Sequence, residues 1–191
     1  MGKQIHLSKV REIFKKSLVV DFRSVERIIG KKGYAKLLIS NMLKKGEIRK
    51  VGKGYYTMYD EASLSVYAFT PAYLGLQSAL SFYDIWEQET IPVILTIKKV
   101  KRGIRKIMGT NVLLRNIDKK YYFGFNFVKE GDFYIPYSDL EKTFIDMFLF
   151  NQRMDADALK RIKKKIDKRK LNSYLKRCSK LIRRRVERCM K

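Results

Sequence analysis

Histidine and cysteine are almost missing from this chain. Its 191 residues include one histidine, His6, and two cysteines, Cys178 and Cys189. A Cys/His zinc site draws four such ligands together at close spacing, so that class of metal site is excluded and no cofactor is expected. The two cysteines lie 11 residues apart. On one straight helix that spacing returns to nearly the same face but about 16 Å along the axis, too far for a disulfide. They read as two small apolar residues on a buried stripe, with an intermolecular bridge as the alternative.

Long hydrophobic runs are missing too. The longest stretches, such as "IPVILTI" at 91–97, are strand-sized, well below the roughly 18 residues of a membrane span. The beginning "MGKQIHLSKVREIFKK" has no apolar core of a signal peptide. Position 6 is His rather than Ser or Thr, so Gly2 does not fit a myristoylation site. The expectation is a cytoplasmic protein without a membrane partner.

Enzyme signatures are the third absence. "GKG" at 52–54 lacks the length and the Lys-Ser/Thr of a phosphate-binding loop. No Gly-x-Ser-x-Gly elbow and no Cys-His pair are present. Asp132, Asp139 and Glu141 with Lys142 loosely suggest a metal-dependent nuclease. Glu141, however, has capping-box spacing from Ser138, and adjacent residues of a helix point about 100° apart. The chain is therefore not expected to be an enzyme.

What the chain has in excess is positive charge, and it is segregated. The net charge is +24. Residues 1–59 carry 15 Lys/Arg against 4 Asp/Glu, residues 60–150 carry 11 against 11, and residues 151–191 carry 17 against 4. Two basic ends flank a neutral middle. Segregated charge of one sign repels itself unless an anionic partner offsets it, which points to nucleic acid. The neutral middle suits a structural or partner-binding domain.

The first basic block has a recognisable order. "LSKVREIFKKS" places Val10, Ile13 and Phe14 at helical spacing, with Ser8 as N-cap. "RSVERIIG" is a second helix with Val25, Ile28 and Ile29 inward and Gly30 as C-cap. After a "KKG" turn, "YAKLLISNMLKKG" is a third helix with Ala35, Ile39, Met42 and Leu43 on one face. "EIRKVGKGYYTMY" is a hairpin about a Gly-Lys-Gly turn. Three helices and a hairpin make a winged helix-turn-helix, which lays its third helix in the major groove. The helical step then turns Tyr34, Leu37, Ser40, Asn41 and Lys44 outward, flanked by Lys36. Ser40 and Asn41 suit base edges and Leu37 a thymine methyl. Lys31, Lys32, Lys44, Lys50 and Lys53 suit phosphates. Tyr55, Tyr56 and Tyr59 pack on the helices or, in the alternative, stack on single-stranded bases.

Beyond residue 60 the pattern changes. A helix covers roughly 75–83, and "VILTI", "NVLLRNI", "YYFGFNF" and "DFYIPY" read as strands of one mostly antiparallel sheet. "YSDLEKTFIDMFLF" is a helix whose apolar face is Leu140, Phe144, Ile145, Phe148 and Leu149. In 151–191, Leu159, Ile162 and Ile166 form one stripe. Leu171, Leu175, Cys178, Ile182, Val186 and Cys189 form another, on one or two basic amphipathic helices, with Asp167 able to cap the second. The expected fold class is α+β, with a winged helix at 1–60 and, at 61–191, a small mostly antiparallel sheet with helices and a basic helical C-terminus.

Residues 8–150 resemble the AbiEi family of antitoxins. The likeness rests on "GEIRKVGKGYY" closing the winged helix, on "YLGLQSALSFYDIWEQETIPVILTI", and on "YYFGFNF" with "EKTFIDMF". The family's usual His after the aromatic of the Ser-Ala-Leu helix is absent, because Tyr83 follows Phe82. The resemblance implies binding of the protein's own promoter as an autorepressor, and opposition to a nucleotidyltransferase toxin. Double-stranded DNA is thus the expected partner. An RNA- or single-strand-binding module and a ligand-sensing winged-helix regulator remain the alternatives, and the oligomeric state stays open.

Overall fold

The structure is a computed structural model that describes residues 2–88 and 90–190, with side chains described from His6 onward. It is an α+β fold in two compact units: Met1–Phe69 with Lys106–Asn111, and Thr70–Arg105 with Val112–Lys191. The first unit runs α1 (Gly2–Lys16), β1 (Val20–Asp21), α2 (Phe22–Ile29), α3 (Lys32–Lys44), β2 (Arg49–Gly52) and β3 (Tyr55–Thr57). Its three strands pair in the order β1-β3-β2, both pairings antiparallel. Val10, Phe14, Val25, Ile29, Ala35, Ile39, Met42 and Ile48 share one core.

Several local expectations shift. Helix α1 begins at Gly2, so Ser8 lies inside it rather than at its cap, since nothing in the preceding residues breaks the helix. Helix α3 begins at Lys32 and takes Gly33 into its first turn, where the "KKG" turn was expected. Asp21 caps α2, its carboxylate accepting from the Ser24 backbone N–H at 2.9 Å, and Gly30 closes it as expected. The unit also runs on past residue 60, through a 3-10 helix at Ala62–Phe69. That helix packs directly on β2. A Cβ built on Gly52 would lie 2.5 Å from the Ala68 Cβ, so this glycine is required by close approach rather than by the turn.

The second unit is built on a six-stranded sheet, apart from the end of β6 and the start of β7, which fall within Lys106–Asn111. Its strands are β4 (Ala72–Leu74), β5 (Val93–Thr96), β6 (Gly103–Ile107), β7 (Thr110–Asn116), β8 (Phe125–Glu130) and β9 (Phe133–Ser138), ordered β6-β7-β5-β4-β9-β8. The sheet is mixed, not mostly antiparallel. β4–β5 and β8–β9 run antiparallel, while β4–β9 and β5–β7 run parallel. Apolar runs mark strands but carry no direction. Direction follows from the connections, and the long excursions between β5 and β7 and between β4 and β9 allow parallel return. Tyr121 closes a second 3-10 helix, Lys119–Tyr121, rather than opening a strand, and β8 starts at Phe125.

Five helices complete this unit: α4 (Gln77–Phe82), α5 (Leu140–Leu149), α6 (Ala156–Lys165), α7 (Lys168–Leu175) and α8 (Lys180–Met190). The basic C-terminal segment is thus three helices instead of one or two. Asp155 and Asp167 cap α6 and α7, and the chain breaks again at residues 176–179. The stripe expected on one straight helix is divided between α7 and α8. Leu171, Leu175, Ile182 and Val186 are buried in the same core as Phe144, Ile145 and Leu95, while Cys178 and Cys189 are half-buried free thiols.

Candidate nucleic-acid interface

Helix α3 is amphipathic because Ala35, Leu38, Ile39 and Met42 recur at three- and four-residue steps, and all four are buried. Leu43, expected on that face, is only half-buried, and Leu38 takes its place. The opposite face carries Lys36, Leu37, Ser40, Asn41 and Lys44, each exposed. Leu37 is 56% exposed among polar neighbours. Ser40 and Asn41 offer hydrogen-bonding groups one residue apart, and the two lysines bracket them. Tyr34 departs from the expected outward set. It is half-buried, with its ring edge-to-face on His6 at 6.1 Å, because α1 extends back over this end of α3.

Lys31 and Lys32 stand exposed at the start of α3, and Lys50 and Lys53 stand exposed on the β2–β3 hairpin. Among the described residues none of Lys31, Lys32, Lys36, Lys44, Lys50 or Lys53 makes an ion pair. Two carboxylates of this unit are engaged by arginines. Glu47 takes a two-pronged bond from Arg11 at 2.8 and 2.9 Å, and Asp60 pairs with Arg49 at 3.1 Å. The lysine ammonium groups are therefore available to an external anion. Tyr55, Tyr56 and Tyr59 are half-buried, Tyr56 packs on the core, and burial pushes its phenol pKa up. The expected packing is thus seen for Tyr56.

A second concentration of charge lies in α5, where the sequence pattern showed an apolar face beside Glu141 and Lys142. Residues 140–147 are buried on every side, because the sheet covers one flank and α4, α6, α7 and α8 the rest. Lys142, Asp146 and Tyr73 are each 0% exposed. The Lys142 ammonium pairs with Asp146 and donates to the Tyr73 hydroxyl at 2.9 Å, which in turn donates to Asp146 at 2.9 Å. Burial lowers the Lys142 pKa and raises that of Asp146, with the opposite charge of each working against the other's shift, while burial and the Asp146 charge together raise that of Tyr73. A Cβ on Gly124 would lie 2.8 Å from the Lys142 Cβ, so the cluster is sealed by close backbone approach.

The expected capping box does not form. Asp139, not Ser138, caps α5, accepting from the Lys142 backbone N–H at 2.8 Å. Ser138 belongs to β9, which holds its hydroxyl in a 2.7 Å bond with Thr143. Glu141 instead accepts from the Asp167 backbone N–H at 2.8 Å and pairs with Lys170 at 3.2 Å. Tyr174 donates to Asp139 at 2.7 Å; burial and that bond push its pKa up to about 12. These contacts tie α7 to the start of α5. The signal in the sequence was Asp and Lys at four-residue spacing inside an apolar helix, Lys142 and Asp146, a pattern that also suits a solvated face.

Among the described residues no cluster of His, Cys, Asp or Glu could hold a metal ion, and no helix is long and apolar enough to cross a membrane. No protein-family profile matches the chain, and no curated protein is similar to it in sequence. Among solved structures it is similar to the RV2827C protein from Mycobacterium tuberculosis, with a TM-score of 0.62 and 11% identity, over 96% of this chain and 74% of that one. At that identity the likeness is one of fold.

Proposed function

We propose that the first unit is a winged helix-turn-helix and that the protein binds double-stranded DNA sequence-specifically as a transcriptional regulator. The observation that carries this reading is the exposed face of α3, where Leu37, Ser40 and Asn41 lie between Lys36 and Lys44 with no carboxylate paired to either lysine. Such a face combines groups that suit base edges with cations that suit phosphates. The element order, three helices and a hairpin, supports α3 as the major-groove helix and the β2–β3 hairpin with Lys53 as the wing. The half-buried tyrosines favour duplex over single-stranded nucleic acid.

The resemblance to AbiEi antitoxins extends the proposal in two directions. The operator is the protein's own promoter, and a nucleotidyltransferase toxin is the protein partner. Fluorescence anisotropy with the promoter duplex and a scrambled duplex, from low to moderate salt, tests the DNA reading. Tighter binding to the promoter and affinity falling steeply with salt are expected, because neutralised phosphates release counterions. A flat salt response, or equal binding to both duplexes, overturns it. Co-purification with a co-expressed neighbouring nucleotidyltransferase tests the second part.

A further inference from the structure

The neutrality of residues 60–150 is an average that hides a strongly basic arm. Between positions 90 and 117 there is no Asp or Glu, and Lys98, Lys99, Lys101, Arg102, Arg105 and Lys106 fall within nine consecutive residues. Four of the carboxylates that balance them in number are engaged elsewhere. Asp139, Glu141 and Asp146 are buried and bonded to Lys142, Lys170 and Tyr174, and Glu87 pairs with Arg161. Water therefore meets a positive arm, not a neutral domain.

The arm is also ordered from within. It leaves β5 and enters β6 at one edge of the six-stranded sheet. The Arg105 guanidinium donates to the Lys101 carbonyl at 2.9 Å, the Asn116 amide donates to the Val100 carbonyl at 3.0 Å, and the Lys98 N–H donates to the Thr96 hydroxyl at 3.0 Å. Lys99, Lys101, Arg102 and Lys106 are exposed, and with Lys98 they make no ion pair among the described residues. Fixing so many like charges close together costs free energy that an external polyanion offsets. A membrane surface suits the arm poorly. Interfacial elements set a broad apolar face beside their cations, and here one large apolar side chain, Ile104, is exposed.

We propose that residues 98–105 form a second, sequence-independent contact with duplex DNA, holding backbone phosphates. The inference rests on the duplex-binding reading above. Its test uses the full chain, a promoter duplex and a scrambled duplex of equal length, and a hairpin RNA, titrated by anisotropy over a range of salt. The variant Lys98→Gln/Lys99→Gln/Lys101→Gln/Arg102→Gln should weaken both duplexes alike. Its plot of log K against log salt should be shallower by about 2 to 4, at about 0.9 for each phosphate that the arm no longer neutralises. The preference for the promoter should stay unchanged. Lys98→Arg/Lys99→Arg/Lys101→Arg keeps the charge and should keep the slope. The side chains are at the surface, and a thermal melt verifies that each variant is folded.

The failures separate cleanly. If the wild type binds the promoter but the glutamine variant keeps its slope, the arm proposal falls and the DNA reading stands. A wild type that binds neither duplex overturns both. A slope change seen with the RNA alone means the partner class is wrong, and the arm proposal falls with it.

Discussion

Helices α3 and α5 look alike as sequence and end in opposite environments. Both carry an apolar stripe with polar residues opposite. In α3 the opposite face stays in water, and its lysines and amide are unpaired among the described residues. In α5 it is enclosed, and its lysine and aspartate are paired with each other and with Tyr73. Charge on an open face is free to meet a ligand, whereas charge on a covered face is consumed in satisfying the fold. The same residue types thus stay open to solvent in one helix and serve architecture in the other.

The sharpest way to break that contrast is to remove one partner of the buried pair. Lys142→Ala should destabilise the protein by about 3–5 kcal/mol, because it strands the Asp146 carboxylate in the core. Replacing both, as Lys142→Met with Asp146→Leu, should recover much of that loss, since a well-packed apolar pair avoids the desolvation cost. Chemical denaturation of the three proteins decides the matter. If the single and double variants are equally unstable, the cluster is held by something other than charge pairing.

On α3 the contrast predicts the reverse balance. Asn41→Ala should leave stability within about 0.5 kcal/mol of wild type, as for other exposed substitutions. It should reduce the preference for promoter over scrambled duplex by about 1–3 kcal/mol. Reduced stability with discrimination intact would place Asn41 on the structural side. Between these extremes stands Tyr174→Phe, which removes one hydrogen bond to the buried Asp139 but leaves Lys170 in place. A loss of about 1.5 kcal/mol in thermal or denaturant unfolding is expected.

The smallest effect should come from the surface pair Arg11–Glu47. The arginine holds the Glu47 carboxyl below its usual pKa, chiefly through the hydrogen bond. A depressed folded-state value means the pair's stabilisation is present above the unfolded carboxyl pKa and is lost as pH falls through the folded one. Glu47→Gln should therefore flatten a shallow part of the acid limb of stability against pH, and barely alter neutral stability. A large change at neutral pH would show that this pair is more than a screened surface contact.

Much of the first unit was legible because its signals are local. Gly30 ends α2, the steps of Ala35, Ile39 and Met42 orient α3, and the Gly-Lys-Gly turn sets the hairpin. In the second unit, Asp167 as a cap and the docking of Leu171, Leu175, Ile182 and Val186 were also readable from spacing. The buried cluster was not. Four-residue spacing such as that of Lys142 and Asp146 is common to solvated and buried pairs, and Ser138 with Glu141 read as a cap. The basic arm was hidden for a different reason, since summing charge over ninety residues cancels the cations of 98–105 against carboxylates that all lie outside positions 90–117.

The sequence by itself therefore determined the α+β class, the helix and strand periodicities, the segregated basic ends and the face of α3 that meets water, because each depends on neighbours within one element. Tertiary structure alone decided the parallel pairings of β4–β9 and β5–β7, the enclosure of α5, the choice of Asp139 as its cap and the exposure of the 98–105 arm. Each of those depends on segments distant in the chain, and what covers a charged side chain is a property of the neighbour that arrives, not of the residue that carries it.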